Sequence, residues 1–119
     1  MKHIDIPDSA DLPSMQGLAT FAMVARHASF SSAAEELEVG QPAISHAIRQ
    51  LERWFGCALF ERDHRGIRLT DAGRILADGV GAGLTRIHQA VRDVQHMQDG
   101  ATEVVTISVS TATAASWLM

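Results

Sequence analysis

Ser45, His46, Arg49 and Arg53 fall on one side of residues 40–55, a stretch whose other side is apolar. Hydroxyl, imidazole and guanidinium groups are the ones that read base edges and hold phosphates, so this surface suits a DNA major groove. The stretch that carries them reads as one helix with two unlike faces. Ile44, Ile48, Leu51 and Phe55 stand at i, i+4, i+7 and i+11, the spacing of a single apolar stripe. Pro42 fits the first turn, where its missing N–H costs nothing, and Gly40 is an acceptable though not the best N-cap. An ordinary amphipathic surface helix has the same pattern, so this helix alone leaves both readings open.

Other residues with usable chemistry flank it. Ser31 and Ser32 open a short helical pattern, where hydroxyls and free N–H groups hold a backbone phosphate or simply cap the helix. His64 and Arg65 lie at the tip of a polar turn, placed for a narrow, electronegative minor groove or for plain solvation. Arg53 lies nearer the buried edge of its helix, where it serves a phosphate or an intramolecular pair. Catalysis finds no support. His3, His27, His46, His64, His88 and His96 lack metal-ligand spacing, and no carboxylate pair or phosphate loop accompanies them. The single cysteine, Cys57, lies among Gly56, Ala58, Leu59 and Phe60, and a small buried hydrophobe is its expected role over a reactive thiol. No catalytic residue, metal or cofactor is assigned.

The elements that position these residues follow from periodicity and punctuation. Residues 1–13, with Pro7, Pro13 and three aspartates, read as a flexible tail. Ser14 caps a helix over 15–28 that buries Leu18, Phe21, Ala22 and Ala25. Ser32 with Glu35 forms a capping box, with Ser31 as the competing cap, for a second helix burying Ala34 and Leu37. Only Glu38, Val39 and Gly40 separate it from the 40–55 helix, the connection of a helix-turn-helix. Residues 58–62 and 67–70 flank a turn at 63–66 and predict a hairpin, which in this position is a wing. Thr70 caps a long helix expected to end at residues 99–101. Val80, Leu84, Ile87, Val91 and Val94 recur on it at spacings of 4, 3, 4 and 3, a coiled-coil seam. Gly73, Gly79, Gly81 and Gly83 oppose that helix, each by up to about 1 kcal/mol relative to Ala. Packing against the same helix of a second subunit offsets this; packing on the chain's own core is the alternative. Residues 104–110 read as a buried strand, which cannot form a sheet alone, so a further domain is expected to begin at 100–119.

Composition sets outer bounds. The hydrophobic fraction of 46% fits a globular chain. No run of about 18 apolar residues offers a membrane span, and no signal peptide is evident, so a cytoplasmic location is expected. The net charge of −4 argues mildly against nucleic acid, yet residues 46–68 hold five arginines against three acids. A locally positive face on an acidic chain remains compatible with DNA. A winged-helix module used only for protein association is the competing reading.

At Ser29-Phe30-Ser31-Ser32-Ala33-Ala34, Gln41-Pro42-Ala43-Ile44-Ser45, Leu51-Glu52, Leu59-Phe60-Glu61-Arg62 and Leu69-Thr70-Asp71-Ala72-Gly73 the chain closely resembles the LysR-type bacterial transcriptional regulators. These motifs, in this order, cover about residues 14–98 and are specific together. The resemblance implies a mainly α fold: a winged helix-turn-helix over 14–70, a linker helix over 71–99 that dimerises, and a periplasmic-binding-protein-like effector domain beginning at 100–119. The ending at Ala114-Ala115-Ser116-Trp117-Leu118 is similar to the branch containing the glycine-cleavage activator. By resemblance, base readers fall at Gln41, Pro42, Ser45, His46 and Arg49, with a wing arginine at Arg65. Gly40 replaces the family's usual serine and weakens the cap, and His46 stands where arginine is common, so a half-site preference does not carry over. The implied partners are double-stranded promoter DNA, a second subunit, a tetramer in the full-length protein, and a small-molecule effector acting through the domain beyond this chain. The implied location is the cytoplasm, on the nucleoid.

Overall fold

The computed structural model describes residues 6–106. The chain divides into two compact units, 1–81 and 82–119. A 3₁₀ turn at Ser9–Asp11 is followed by α1 (Met15–His27), α2 (Phe30–Leu37), α3 (Gln41–Phe55), β1 (Phe60–Asp63), β2 (Gly66–Leu69) and α4 (Asp71–Thr106). This is the mainly α, winged helix-turn-helix architecture followed by a long helix that the sequence predicts.

The helix-turn-helix is built from caps as much as from apolar stripes. The Ser14 hydroxyl accepts the Gly17 N–H at 2.9 Å and starts α1 as expected. Val24, rather than Ala25, is the innermost residue of its second half. The cap of α2 differs from expectation. Neither Ser32 nor Ser31 but Ser29 is the cap, accepting a first-turn N–H, that of Ser32, at 3.0 Å. The reason is Phe30, which is buried with its ring edge-on to Phe60 at 5.9 Å between centroids and so enters the first helical turn. Ala33 and Ala34 then face inward, and Leu37, expected in the core, is exposed. The small pair lets α1 and α3 approach α2 closely.

Glu38 carries the left-handed backbone (φ 58°) that reverses the chain between α2 and α3. Its N–H returns to the Glu35 carbonyl at 3.2 Å and that of Val39 to the Ala34 carbonyl at 3.0 Å. Gly40 has an ordinary φ of −77° and caps α3 without a side-chain hydrogen bond. Ile44, Ile48 and Leu51 bury the inner stripe of α3. The fourth stripe member, Phe55, is exposed and lies edge-on to Trp54 at 5.0 Å. Gly56 (φ 75°) ends the helix, its N–H on the Glu52 carbonyl at 2.8 Å. Cys57 is exposed, which corrects the expectation of a buried thiol. It sits on the reversal itself, and Leu59 is the residue that turns inward.

β1 and β2 pair antiparallel from Phe60↔Leu69 to Asp63↔Gly66, which leaves only His64 and Arg65 in the turn. The strands are therefore shifted by one or two residues from 58–62 and 67–70. Asp63 Oδ1 accepts the Arg65 N–H at 2.8 Å, and Gly66 takes a φ of 124° that its lack of Cβ permits. Thr70 Oγ1 accepts the Gly73 N–H at 3.0 Å and opens α4. Leu69, Ala72, Leu76 and Ala77 pack on the core made by Phe21, Val24, Phe30, Ile44, Ile48, Leu51 and Leu59. In the second unit the described residues form the remainder of α4. That helix does not stop at 99–101 but runs to Thr106. Gly100 weakens a helix without breaking it, and Ala101 and Glu103 beyond it are good helix formers. Val104, Val105 and Thr106, read as the start of a strand, are helical; residues 107–119, with the rest of that strand, lie outside the described residues.

Candidate nucleic-acid interface

The inner stripe of α3 fixes what its other faces present. Gln41, Pro42, His46, Arg49 and Arg53 are exposed, and Ser45 is half-buried. The helix divides these donors between two flanks. Ser45 and Arg49 border a cleft toward β1, together with Ile48, Glu52, Phe30, Phe60 and Arg62. His46 and Arg53 border an apolar groove of about 740 Å³ toward α1, whose lining includes Met23, Val39, Ala47 and Trp54. Gln41 and Pro42 stand at the helix start. Among the described residues, Arg49 and Arg53 have no ion-pair partner, whereas Arg26, Arg68 and Arg74 are each matched by a carboxylate. Glu52, next to Arg53 in the chain, is engaged elsewhere: its Oε2 accepts the N–H of Leu59 at 2.8 Å and of Phe60 at 3.3 Å. This ties the root of the wing to α3.

The wing presents His64 and Arg65 at its exposed tip. A Glu61–Arg68 pair at 3.1 Å crosses the hairpin, and the ring of Phe60 lies 5.3 Å from that of Phe21. The hairpin is thus anchored at its base and free at its turn. At the start of α2, Ser31 is exposed with its Oγ 3.2 Å from that of Ser29, and the Ser32 N–H is already used by the cap. Phe30, between them and α3, lines the same cleft as Ser45 and Arg49. Reading by periodicity missed Arg62, whose guanidinium carbon stands 4.8 Å above the Phe30 ring. The signals available were its place in the Leu59-Phe60-Glu61-Arg62 motif and among the five arginines of residues 46–68, neither of which assigns it a contact.

Away from this face, Glu36 of α2 receives Arg26 at 2.8 Å and the His27 ring at 2.6 Å, both from the end of α1. Those two hydrogen bonds, His27 foremost, hold the Glu36 carboxyl below its ordinary value. On α4, Val80 and Leu84 are half-buried, while Ile87, Val91 and Val94 are exposed. Among the described residues no group of histidine, cysteine or acidic side chains could hold a metal ion, and no helix is long and apolar enough to cross a membrane.

Residues 15–74 match the family described as bacterial regulatory helix-turn-helix protein, lysR family. The chain is 47% identical over 79 residues to the HTH-type transcriptional regulator TrpI of Pseudomonas aeruginosa, covering 66% of this chain and 27% of that one. It is 36% identical over 111 residues to the glycine cleavage system transcriptional activator of Escherichia coli, covering 93% of this chain and 36% of that one. Among solved structures it is similar to the BenM DNA-binding domain in complex with catB site 1 DNA, with a TM-score of 0.66 and 28% identity over 72% of this chain and 97% of that one. It is also similar to full-length CbnR complexed with its target DNA, with a TM-score of 0.60 and 31% identity over 70% of this chain and 29% of that one. The chain thus spans about a third or less of the length of several of its relatives.

Proposed function

The chain belongs to the LysR family of bacterial regulatory helix-turn-helix proteins, and from that premise we propose that it binds double-stranded promoter DNA sequence-specifically, with α3 in the major groove and the β1–β2 wing in the minor groove. The observation that carries this reading is the pairing of Ile44, Ile48 and Leu51 inside α3 with exposed Arg49 and Arg53 outside it, which meet no carboxylate among the described residues. BenM's domain and CbnR, which share this fold, are seen in complexes with DNA. Gln41, Pro42, Ser45, His46 and Arg49 read bases; Ser31, Ser32 and Arg53 hold backbone phosphates; His64 and Arg65 enter the minor groove. The chain acts by binding and not as an enzyme.

A homodimer is the functional unit, joined through Val80, Leu84, Ile87, Val91 and Val94. Among the described residues, a Cβ added at Gly79, Gly81 or Gly83 would meet nothing within 4 Å, so packing within the described protomer does not explain these glycines. The domains divide as a tail at 1–13, a DNA-binding domain at 14–70, a linker helix from 71, and the start of an effector-binding domain within 100–119. Small-molecule control and tetramer formation belong to the longer protein, in the cytoplasm on the nucleoid. The net charge of −4 favours one competing reading, a winged-helix module for protein association alone. Titration of promoter and random duplexes over a salt series separates the two: steeply salt-dependent binding with a preferred site supports DNA recognition, and none supports association alone.

A further inference from the structure

We infer that the cleft between α3 and β1 is a binding site for one phosphate of the DNA backbone, with Arg62 its principal ligand. The inference rests on the DNA-binding reading and deepens it. A duplex read by α3 in one groove and by the wing tip in the adjoining groove must pass the strand that separates those grooves between the two elements. Arg62 lies there. Its guanidinium covers the Phe30 ring at 4.8 Å, and Phe30 is itself buried and set edge-on to Phe60. Stacking fixes the plane of a guanidinium while leaving its N–H edge to bond in that plane. Among the described residues that edge meets no carboxylate, whereas Arg68, one rung away on the same hairpin, is matched by Glu61 at 3.1 Å. Arg49 and the Ser45 hydroxyl border the same cleft, which has a volume of about 240 Å³. Glu52 is its single acid, and one oxygen of that carboxylate is occupied by the Leu59 and Phe60 N–H groups. Two cations against one acid leave the cleft positive; Ser45 and Arg49 reach from it toward the bases, and the Arg62 edge is left for an anionic oxygen of the strand alongside.

The test compares wild type with Arg62→Ala and Arg62→Gln on promoter and random duplexes across a salt series, with thermal unfolding as the measure of fold. Arg62→Gln keeps a planar group over Phe30 and removes the charge, so it carries the test even where Arg62→Ala unfolds. The expected result is a loss of roughly tenfold on both duplexes, and a fall of about one in the slope of log affinity against log salt. Duplexes carrying a single methylphosphonate should then include one position that weakens wild type and leaves Arg62→Gln unchanged. A wild-type salt slope in Arg62→Gln overturns the inference, and so does a loss confined to the promoter site, which would make Arg62 a base reader. Wild-type protein that binds no duplex at low salt overturns the DNA-binding reading itself, and the phosphate site with it.

Discussion

Gly73, in the first turn of α4, lies directly against Leu59: a Cβ at Gly73 would overlap the Leu59 carbonyl oxygen and meet Leu69 Cδ2 at 3.0 Å. That same carbonyl accepts the Thr70 N–H at 3.0 Å, and the Leu59 N–H is held by Glu52 of α3. One backbone unit therefore joins α3, the root of the wing and the start of α4. The atoms of Leu59 that an added Cβ would meet belong to the backbone and cannot swing aside. Gly73→Ala should lower stability by roughly 3 kcal/mol, read as the free energy of urea unfolding. Unchanged stability would mean that α4 tolerates a shift away from Leu59.

Gly40 offers the opposite case. Its φ of −77° is open to any residue, and a Cβ there would meet only Pro42 Cδ, at 3.5 Å. Gly40→Ser supplies the missing cap of α3 and should stabilise the fold by roughly a few tenths of a kcal/mol. A lower unfolding midpoint would contradict the assignment of Gly40 as the N-cap.

The clasp between α1 and α2 predicts an acid sensitivity. Because the folded-state pKa of Glu36 lies below its ordinary value of 4.5, the carboxylate stabilises the fold above that value. The contribution is lost as pH falls through the lowered folded-state pKa. Glu36→Gln has no such proton to gain. Between about pH 6 and about pH 3 the wild type should lose more stability than the variant. Parallel losses in urea unfolding at each pH would remove Glu36 from the acid response.

The dimer proposal is tested on α4. Ile87, Val91 and Val94 are 51%, 46% and 57% exposed, an apolar stripe that a second copy would cover. Leu84→Asp or Ile87→Asp should abolish association by burying an unpaired charge. Sedimentation showing a monomeric wild type at high micromolar concentration would count decisively against the proposal.

The elements around the binding face were legible because their signals are local. The Ile44, Ile48 and Leu51 spacing, the three residues between α2 and α3, and the glycine after Asp63-His64-Arg65 each specify an element from within a few positions. What the sequence hid depends on tertiary contact. The Ser32–Glu35 pattern is a good capping box, but burial of Phe30 against Phe60 moves the cap back to Ser29. Leu37, Phe55 and Cys57 have the composition of core residues and lie at element ends, where the chain turns out of the core. Gly100 looks like a stop, yet the backbone carries the helix on to Thr106. Arg62 belongs to a motif and to the local arginine excess, but its role stays hidden until Phe30 is found beneath its guanidinium.

In the proposed mode of binding, α3 reads bases while the wing reads groove shape. Binding of wild type and of alanine variants at Gln41, Ser45, His46 and Arg65 should be measured at fixed salt on duplexes with mutated half-sites and altered flanks. Variants at Gln41, Ser45 or His46 should lose roughly 1–3 kcal/mol on the cognate site and less on random DNA, with relaxed preference at the matching base. Arg65→Ala should lose most where an A·T-rich flank narrows the minor groove. Equal losses from all four variants on every duplex would contradict the account and reduce these residues to charge or packing roles.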